Sequence, residues 1–241
     1  MTFEYFIQQA NVFGKQRAPF LFVIDFEQQK PLIVPLAQAK SVGVLYDITF
    51  GQQHLRNFAA TDAPPPLPIT LQAWPPSFDH YRQAFDHVQR ALQYGDTYLL
   101  NLTCPTPITL GTNFEQLFYQ GQAKYKIWLK DAFVCFSPEC FVEIHHNQIH
   151  TYPMKGTIAA NLANAEQQLL DNIKEKQEHY TIVDLLRNDL AMVATHVKVD
   201  KFRYVDSVTT HHGDILQTSS HITGKLEQNW HCLLYTSLMA R

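Results

Sequence analysis

Residues 147–156, NQIHTYPMKG, read as a β-strand that ends at a turn carrying Lys155, and the chain on either side is arranged around that reading. The lysine stands between a proline-methionine pair and a glycine-threonine pair. Gly156 lets a backbone approach a neighbour closely or adopt φ > 0, so the amine before it has little freedom to move away. If such an amine is desolvated or shares its site with other cations, its pKa falls and it becomes a nucleophile or base at neutral pH. The alternative is an ordinary exposed turn lysine.

Upstream lie three β-like runs, KYKIWLK (124–130), AFVCFS (132–137) and CFVEIH (140–145). Downstream, helical sequence extends from about Asn164 to Met192, followed by strands around Val197–Val205 and Ile215–Leu226. Strands and helices in this order predict an α+β fold. Further upstream, Ser77 can cap a helix whose Phe78, Tyr81, Phe85, Val88 and Leu92 form one apolar stripe, closed by Gly95 and expected to pack on a sheet. DTYLLNLT (96–103) reads as a strand, and Thr112 with Glu115 as a capping box opening a short helix to Gly121.

The sharpest change in composition is DAPPPLPITLQAWPP (62–76), which holds six of the thirteen prolines and is expected to be extended. PFLFVIDF (19–26) and SVGVLYDITF (41–50) before it are strand-like. The expected division is therefore a short β-rich part with its connection (1–76), a core (77–231) and a tail (232–241).

With 19 Lys+Arg against 22 Asp+Glu, the chain carries a net charge of −3 and no basic run, which argues against a nucleic-acid partner and for small acidic or neutral ligands. No apolar run approaches the ~20 residues of a membrane span, and MTFEYFIQQANVFGK has no signal-peptide core. A cytoplasmic location without membrane contact is expected. Cys104, Cys135, Cys140 and Cys232 form no CxxC pair and are expected to be reduced thiols.

Three further features carry chemistry. Glu139, in CFSPECF, is flanked by apolar residues, a setting that raises a carboxyl pKa and suits a general acid; the alternative is an edge glutamate facing water. Glu139 and Lys155 could face one pocket from neighbouring strands. In EKQEHYTIVDLLRNDL (175–190), Glu175 and Glu178 share one helical face. Two carboxylates there make half of a Mg²⁺ site, since that ion takes one or two carboxylates, waters and substrate oxygens; surface glutamates with no ligand are the alternative. Asp184 and Arg187 interleave with a stripe that is apolar nearly all round, which predicts a buried helix with these two as structural partners, substrate contacts being the alternative.

SPECF, PMKGT and EKQEHYTIVDLLRNDL, in this order and at these intervals, resemble the chorismate-utilising enzymes: anthranilate synthase component I, aminodeoxychorismate synthase component I, and the isochorismate and salicylate synthases. YGDTYLLNLT resembles the family's glycine-aspartate strand entry, with Leu100 in place of its usual glutamine, and SSHITGKL its serine-x-x-x-glycine strand. The likeness runs from about Ser77 to Leu226 and implies an anthranilate-synthase-like fold of two large, mostly antiparallel sheets with flanking helices. Lysine before Gly156 and Thr157, two residues expected to contact substrate, favours the aminodeoxychorismate branch. The resemblance implies that the Lys155 amine attacks C2 of chorismate while Glu139 protonates the departing C4 hydroxyl. Glu178 is implied to bind Mg²⁺ directly and Glu175 through water or as a further ligand, with ammonia coming from a glutamine amidotransferase subunit. Anthranilate, isochorismate or salicylate synthesis, or a non-catalytic partner-binding role, are the alternatives.

Ile158 stands where many members have arginine, and Gln217 where anthranilate synthases have histidine. The short N-terminal part makes an allosteric tryptophan pocket unexpected. The family's glycine-rich segment and second ExxE helix are not found, so the fold is expected to be incomplete and the 241-residue chain inactive alone. The tail CLLYTSLMAR is expected to be non-native, starting near Cys232.

Overall fold

Pro153 divides what the sequence suggests is one strand into two, because it has no N–H to offer a ladder. The computed structural model describes residues 1–50, 53–97, 100–137, 139–210 and 213–227. The chain forms two compact units, one from residues 1–38 and 139–241 and the other from residues 39–138. The proline-rich stretch 62–76 lies within the second unit.

The first unit opens with α1 (Phe3–Lys15), whose N-cap Thr2 accepts from the Tyr5 N–H. It packs Phe6 and Ala10 with Ile33 on a hairpin of β1 (Phe20–Val23) and β2 (Leu32–Pro35).

The second unit runs β3 (Val44–Phe50), β4 (Gln53–Arg56), β5 (Leu71–Ala73), α2 (Phe78–Tyr94), β6 (Ile108–Leu110), α3 (Phe114–Gln120), β7 (Tyr125–Leu129) and β8 (Phe133–Phe136). Its larger sheet has the order β4-β3-β7-β8, and β5 pairs with β6. Leu45, Phe118 and Trp128 form the core where α3 meets this sheet. The buried Lys126 ammonium lies 3.2 Å from the Phe118 carbonyl and 3.1 Å from that of Gly121, satisfying acceptors at the end of α3, with Asp47 3.6 Å away.

The first unit then resumes with β9 (Glu143–His145), β10 (Gln148–Thr151), β11 (Met154–Ala159), α4 (Ala165–Asp171), α5 (Ile173–Ala191), β12 (Thr195–Thr210) and β13 (Gly213–Lys225). β13 is the spine of this sheet. One edge pairs with β12; the other takes β11 at residues 215–219 and β10 at residues 222–225. Across the gap between β10 and β11, the Ser220 N–H donates to the Pro153 carbonyl at 2.9 Å. Ile149, Ile222 and Leu226 pack against Val183 and Leu190 of α5.

The α+β expectation holds: antiparallel sheets of five and four strands and, among the described residues, five α-helices. Several local expectations do not. Lys155 lies inside β11, not on a turn. The helix expected over 164–192 is two helices, because Asn172 leaves helical geometry (ψ 107) and caps α5 through the Glu175 N–H. The cap of α3 is Asn113, whose side chain accepts from the Gln116 N–H, and not Thr112. DTYLLNLT forms no strand over its described residues; Tyr98 and Leu99 lie outside them.

α2 has its expected ends, with Ser77 accepting from His80 and Gly95 at φ 94. Its stripe does not pack on a sheet, however: Phe78 is 72% exposed, and Tyr81 and Phe85 are also open. α5 is apolar on one face only, burying Val183 and Leu190 while Leu185 is exposed. Asp184 and Arg187 do pair, at 3.4 Å, but on its solvent side.

Two predictions follow from this packing. Phe118→Ala removes a ring with no exposed surface and should cost roughly 3–5 kcal/mol, read as a lower urea midpoint; a loss below about 1 kcal/mol would contradict the packing.

The second concerns two buried histidines. His150 stacks on His145 and hydrogen-bonds to His221 at 3.0 Å. Its burial and these two rings lower its pKa below 6.5, while Glu143 and Asp200 oppose the shift. His179 is pushed down to about 4 by burial and by Arg203. The unfolded chain therefore binds protons that the folded chain refuses. Stability should be fully present above pH 6.5 and be lost as pH falls towards 4. His150→Gln should flatten part of that slope in urea titrations; an unaltered slope would show that His150 keeps an ordinary pKa.

Candidate active site

The register of β11 on β13 pairs Met154 with Ser219 and Thr157 with Gln217, so Lys155 and Gly156 together face the single residue Thr218. Two residues opposite one is a β-bulge, a device that re-aims side chains. Gly156 has φ +83, a conformation favoured by glycine. A Cβ there would also stand 3.1 Å from a Glu175 carboxylate oxygen and 3.3 Å from Leu169 Cδ1. The backbone angle calls for glycine here, and a side chain would also have to push these neighbours aside by a few tenths of an ångström. The Thr218 hydroxyl donates to the Lys155 carbonyl.

Opposite the bulge runs the first half of α5. Asn172 starts the helix through the Glu175 N–H at 3.1 Å, and Glu175 and Glu178 follow one turn apart. The next residue, His179, is fully buried, and its Nε2 shares a 2.6 Å hydrogen bond with the Ser220 hydroxyl. Ser220 also accepts from the Arg203 N–H at 2.8 Å. Arg203, at φ 51 where β12 shifts register, donates through its guanidinium to the Leu169 and Leu170 carbonyls at 2.9 and 2.7 Å. Those carbonyls lie in the last turn of α4, which lacks helical partners of its own.

This frame brings Lys155, Gly156, Glu175 and Glu178 together. Lys155 Nζ lies 2.8 Å from Glu178 Oε2, and Lys174 Nζ lies 3.8 Å from Oε1. The hydrogen bond from Lys155 lowers the Glu178 pKa, and Glu178 in turn raises that of Lys155. The amine is thus held charged, contrary to the lowered pKa that crowding by cations would produce. With side chains 40% and 35% exposed, the pair is open to water and contributes little to stability.

Glu139 is exposed, in the irregular segment before β9, not in an apolar strand, and Pro138 before it lies outside the described residues. Among the described residues, no hydrogen bond or ion pair joins it to Lys155. Thr157 is exposed on β11.

The described residues contain no group of three or more His, Cys, Asp or Glu side chains arranged to hold a metal. The hard oxygen donors of Glu175 and Glu178 suit Mg²⁺, which uses one or two carboxylates and completes its shell with water and substrate. Cys104 and Cys135 are free thiols; Cys232 lies outside the described residues. No described helix is long and apolar enough to cross a membrane.

Thr218, His179 and Arg203 were not anticipated, and Ser220 was marked only as the serine of the serine-x-x-x-glycine strand. The available signals were hydroxyls at 218 and 220, where a buried strand ordinarily carries apolar groups, and a histidine directly after the glutamate pair.

The model of the chorismate binding enzyme family matches residues 20–236. A Haemophilus influenzae protein described as an uncharacterized PabA-like protein is 57% identical over 229 residues, covering 95% of this chain and 68% of that one. Aminodeoxychorismate synthase component 1 of Salmonella typhimurium is 31% identical over 186 residues, covering 70% of this chain and 40% of that one. The crystal structure of a putative 2,3-dihydroxybenzoate-specific isochorismate synthase from Bacillus anthracis superposes with a TM-score of 0.62 at 16% identity, covering 99% of this chain and 65% of that one. The chain belongs to the family of chorismate binding enzymes.

Proposed function

We propose that the protein is a cytoplasmic aminodeoxychorismate synthase component, aminating chorismate through a covalent bond to Lys155. The observation that carries this reading is the placement of the Lys155 amine, on a glycine bulge, against the carboxylate of Glu178. The likeness to enzymes of that name supports it. Lys155 first leaves Glu178 and gives up a proton. Its nitrogen then bonds to C2 of chorismate as both ring double bonds shift, C1=C2 to C1=C6 and C5=C6 to C4=C5, and the C4–O bond breaks. Glu139, reaching the ring from its exposed segment, supplies the proton with which the hydroxyl departs as water. Ammonia bonds to C4 and loses a proton to solvent, both double bonds shift back and the C2–N bond to Lys155 breaks, giving 4-amino-4-deoxychorismate and the free amine.

Glu178 and Glu175 would hold Mg²⁺, which supplies charge neutralisation at the C1 carboxylate of the substrate. Lys155 now occupies one of the two Glu178 oxygens. Gly156 and Thr157 line the approach to the amine. The ammonia is drawn from a glutamine amidotransferase partner, and the product serves p-aminobenzoate and folate synthesis.

Intact-mass measurement of the full-length chain with chorismate and Mg²⁺, without ammonia, should show an adduct of chorismate less water on Lys155. Lys155→Ala should abolish both the adduct and aminodeoxychorismate formation. An undiminished amination rate in that variant would overturn the nucleophile role.

Glu178→Gln should weaken Mg²⁺ binding about tenfold or more, because it removes a ligand charge from a site with few protein donors. Calorimetric Mg²⁺ titration checks this directly; an unchanged affinity would return both glutamates to a solvated helix face.

A further inference from the structure

We propose that Thr218 is a positioning residue that sets the direction of the Lys155 amine by gripping its carbonyl. The inference rests on the reading of Lys155 as the nucleophile. A β-bulge leaves extra backbone outside the ladder, and here the unpaired stretch is Lys155 and Gly156. Gly156, with no Cβ and at φ +83, gives the peptide bond between them rotational freedom that other residues would deny. The Thr218 hydroxyl removes that freedom by donating to the Lys155 carbonyl.

Thr218 is a rigid point from which to do so. It has no exposed surface, and its strand is paired on the other edge, where Thr218 faces Val205 of β12. Two residues along, on the same face of the strand, Ser220 holds His179 and through it the helix that carries Glu178. One strand face therefore locates both ends of the contact between the Lys155 amine and the Glu178 carboxylate. Valine in place of Thr218 preserves the β-branched shape and removes the hydroxyl alone, so the sheet keeps its packing while the peptide bond regains its freedom.

The test uses the full-length chain as parent, T218V and T218S. Three quantities are read: the rate and chorismate dependence of adduct formation by intact mass, the acylation of Lys155 relative to Lys30 by an amine reagent at fixed pH, and the thermal midpoint. T218V should slow adduct formation roughly ten- to a hundredfold, the scale expected of a small misplacement of a reacting group. The chorismate concentration at half-maximal rate and the thermal midpoint should change little. T218S should stay within about twofold of the parent in rate and in the acylation ratio, whereas T218V should shift that ratio at least threefold.

A T218V rate within twofold of the parent, or equal impairment of T218V and T218S, overturns the inference. If the parent forms no adduct, the nucleophile reading itself has failed. The acylation ratio then decides alone: an unchanged ratio in T218V overturns positioning, and a shift confined to T218V supports it. Should T218V not fold, T218A replaces it under the same criteria.

Discussion

The pairing of β13 along both edges is the constraint on which the site and the sheet around it depend. β12 fixes one edge, and the other edge is shared by β10 and β11, divided where Pro153 cannot donate to the ladder. With its backbone occupied on both sides, β13 has side-chain hydroxyls left to direct. Thr218 turns to the strand carrying the amine and Ser220 to the helix carrying the carboxylates. Ser220 also meets the β12 bulge at Arg203, whose guanidinium closes the last turn of α4. The site is thus supported by strands and helices, with its precision set by a few buried polar contacts.

The electrostatics within that frame are simple. Glu178 faces two ammonium groups, at 2.8 and 3.8 Å, and the hydrogen bond from Lys155 lowers its carboxyl pKa. Lys155 stays protonated for the same reason. Since both side chains are open to water, exchange of either partner for another ion costs little, in contrast to a buried pair, where removing one member strands a charge. Such a pair suits a place where groups must change partners.

What the sequence made legible was whatever depends on short-range chemistry. Ser77 and Gly95 bracket α2 because capping is local, and the apolar runs at 44–50, 125–129 and 133–136 become strands because their composition favours a half-buried pleat. Glu175 and Glu178 share a face because helical periodicity requires it. Long-range features were hidden. That Lys155 lies in a bulge depends on how residues 215–219 pair with it, and nothing in TYPMKGTIAA states that register. Asn172 was readable as a cap but was absorbed into a longer helical pattern. Glu139 is exposed in an irregular segment, the water-facing setting that its sequence left open and not the apolar strand that its neighbours suggested.

The division of the chain gives the molecule a timetable. Residues 39–138 leave the ribosome as one continuous piece and can fold while the remainder is still being made, whereas the first unit needs residues from both sides of that piece. Within it, residues 154–159 of β11 must wait for residues 215–219, an interval of roughly 3–12 s at ordinary synthesis rates. Throughout that wait an apolar strand edge has no partner, and the amine-bearing bulge does not yet exist. The organising strand arrives late, so the geometry at Lys155 is among the last features of the described chain to take shape during translation.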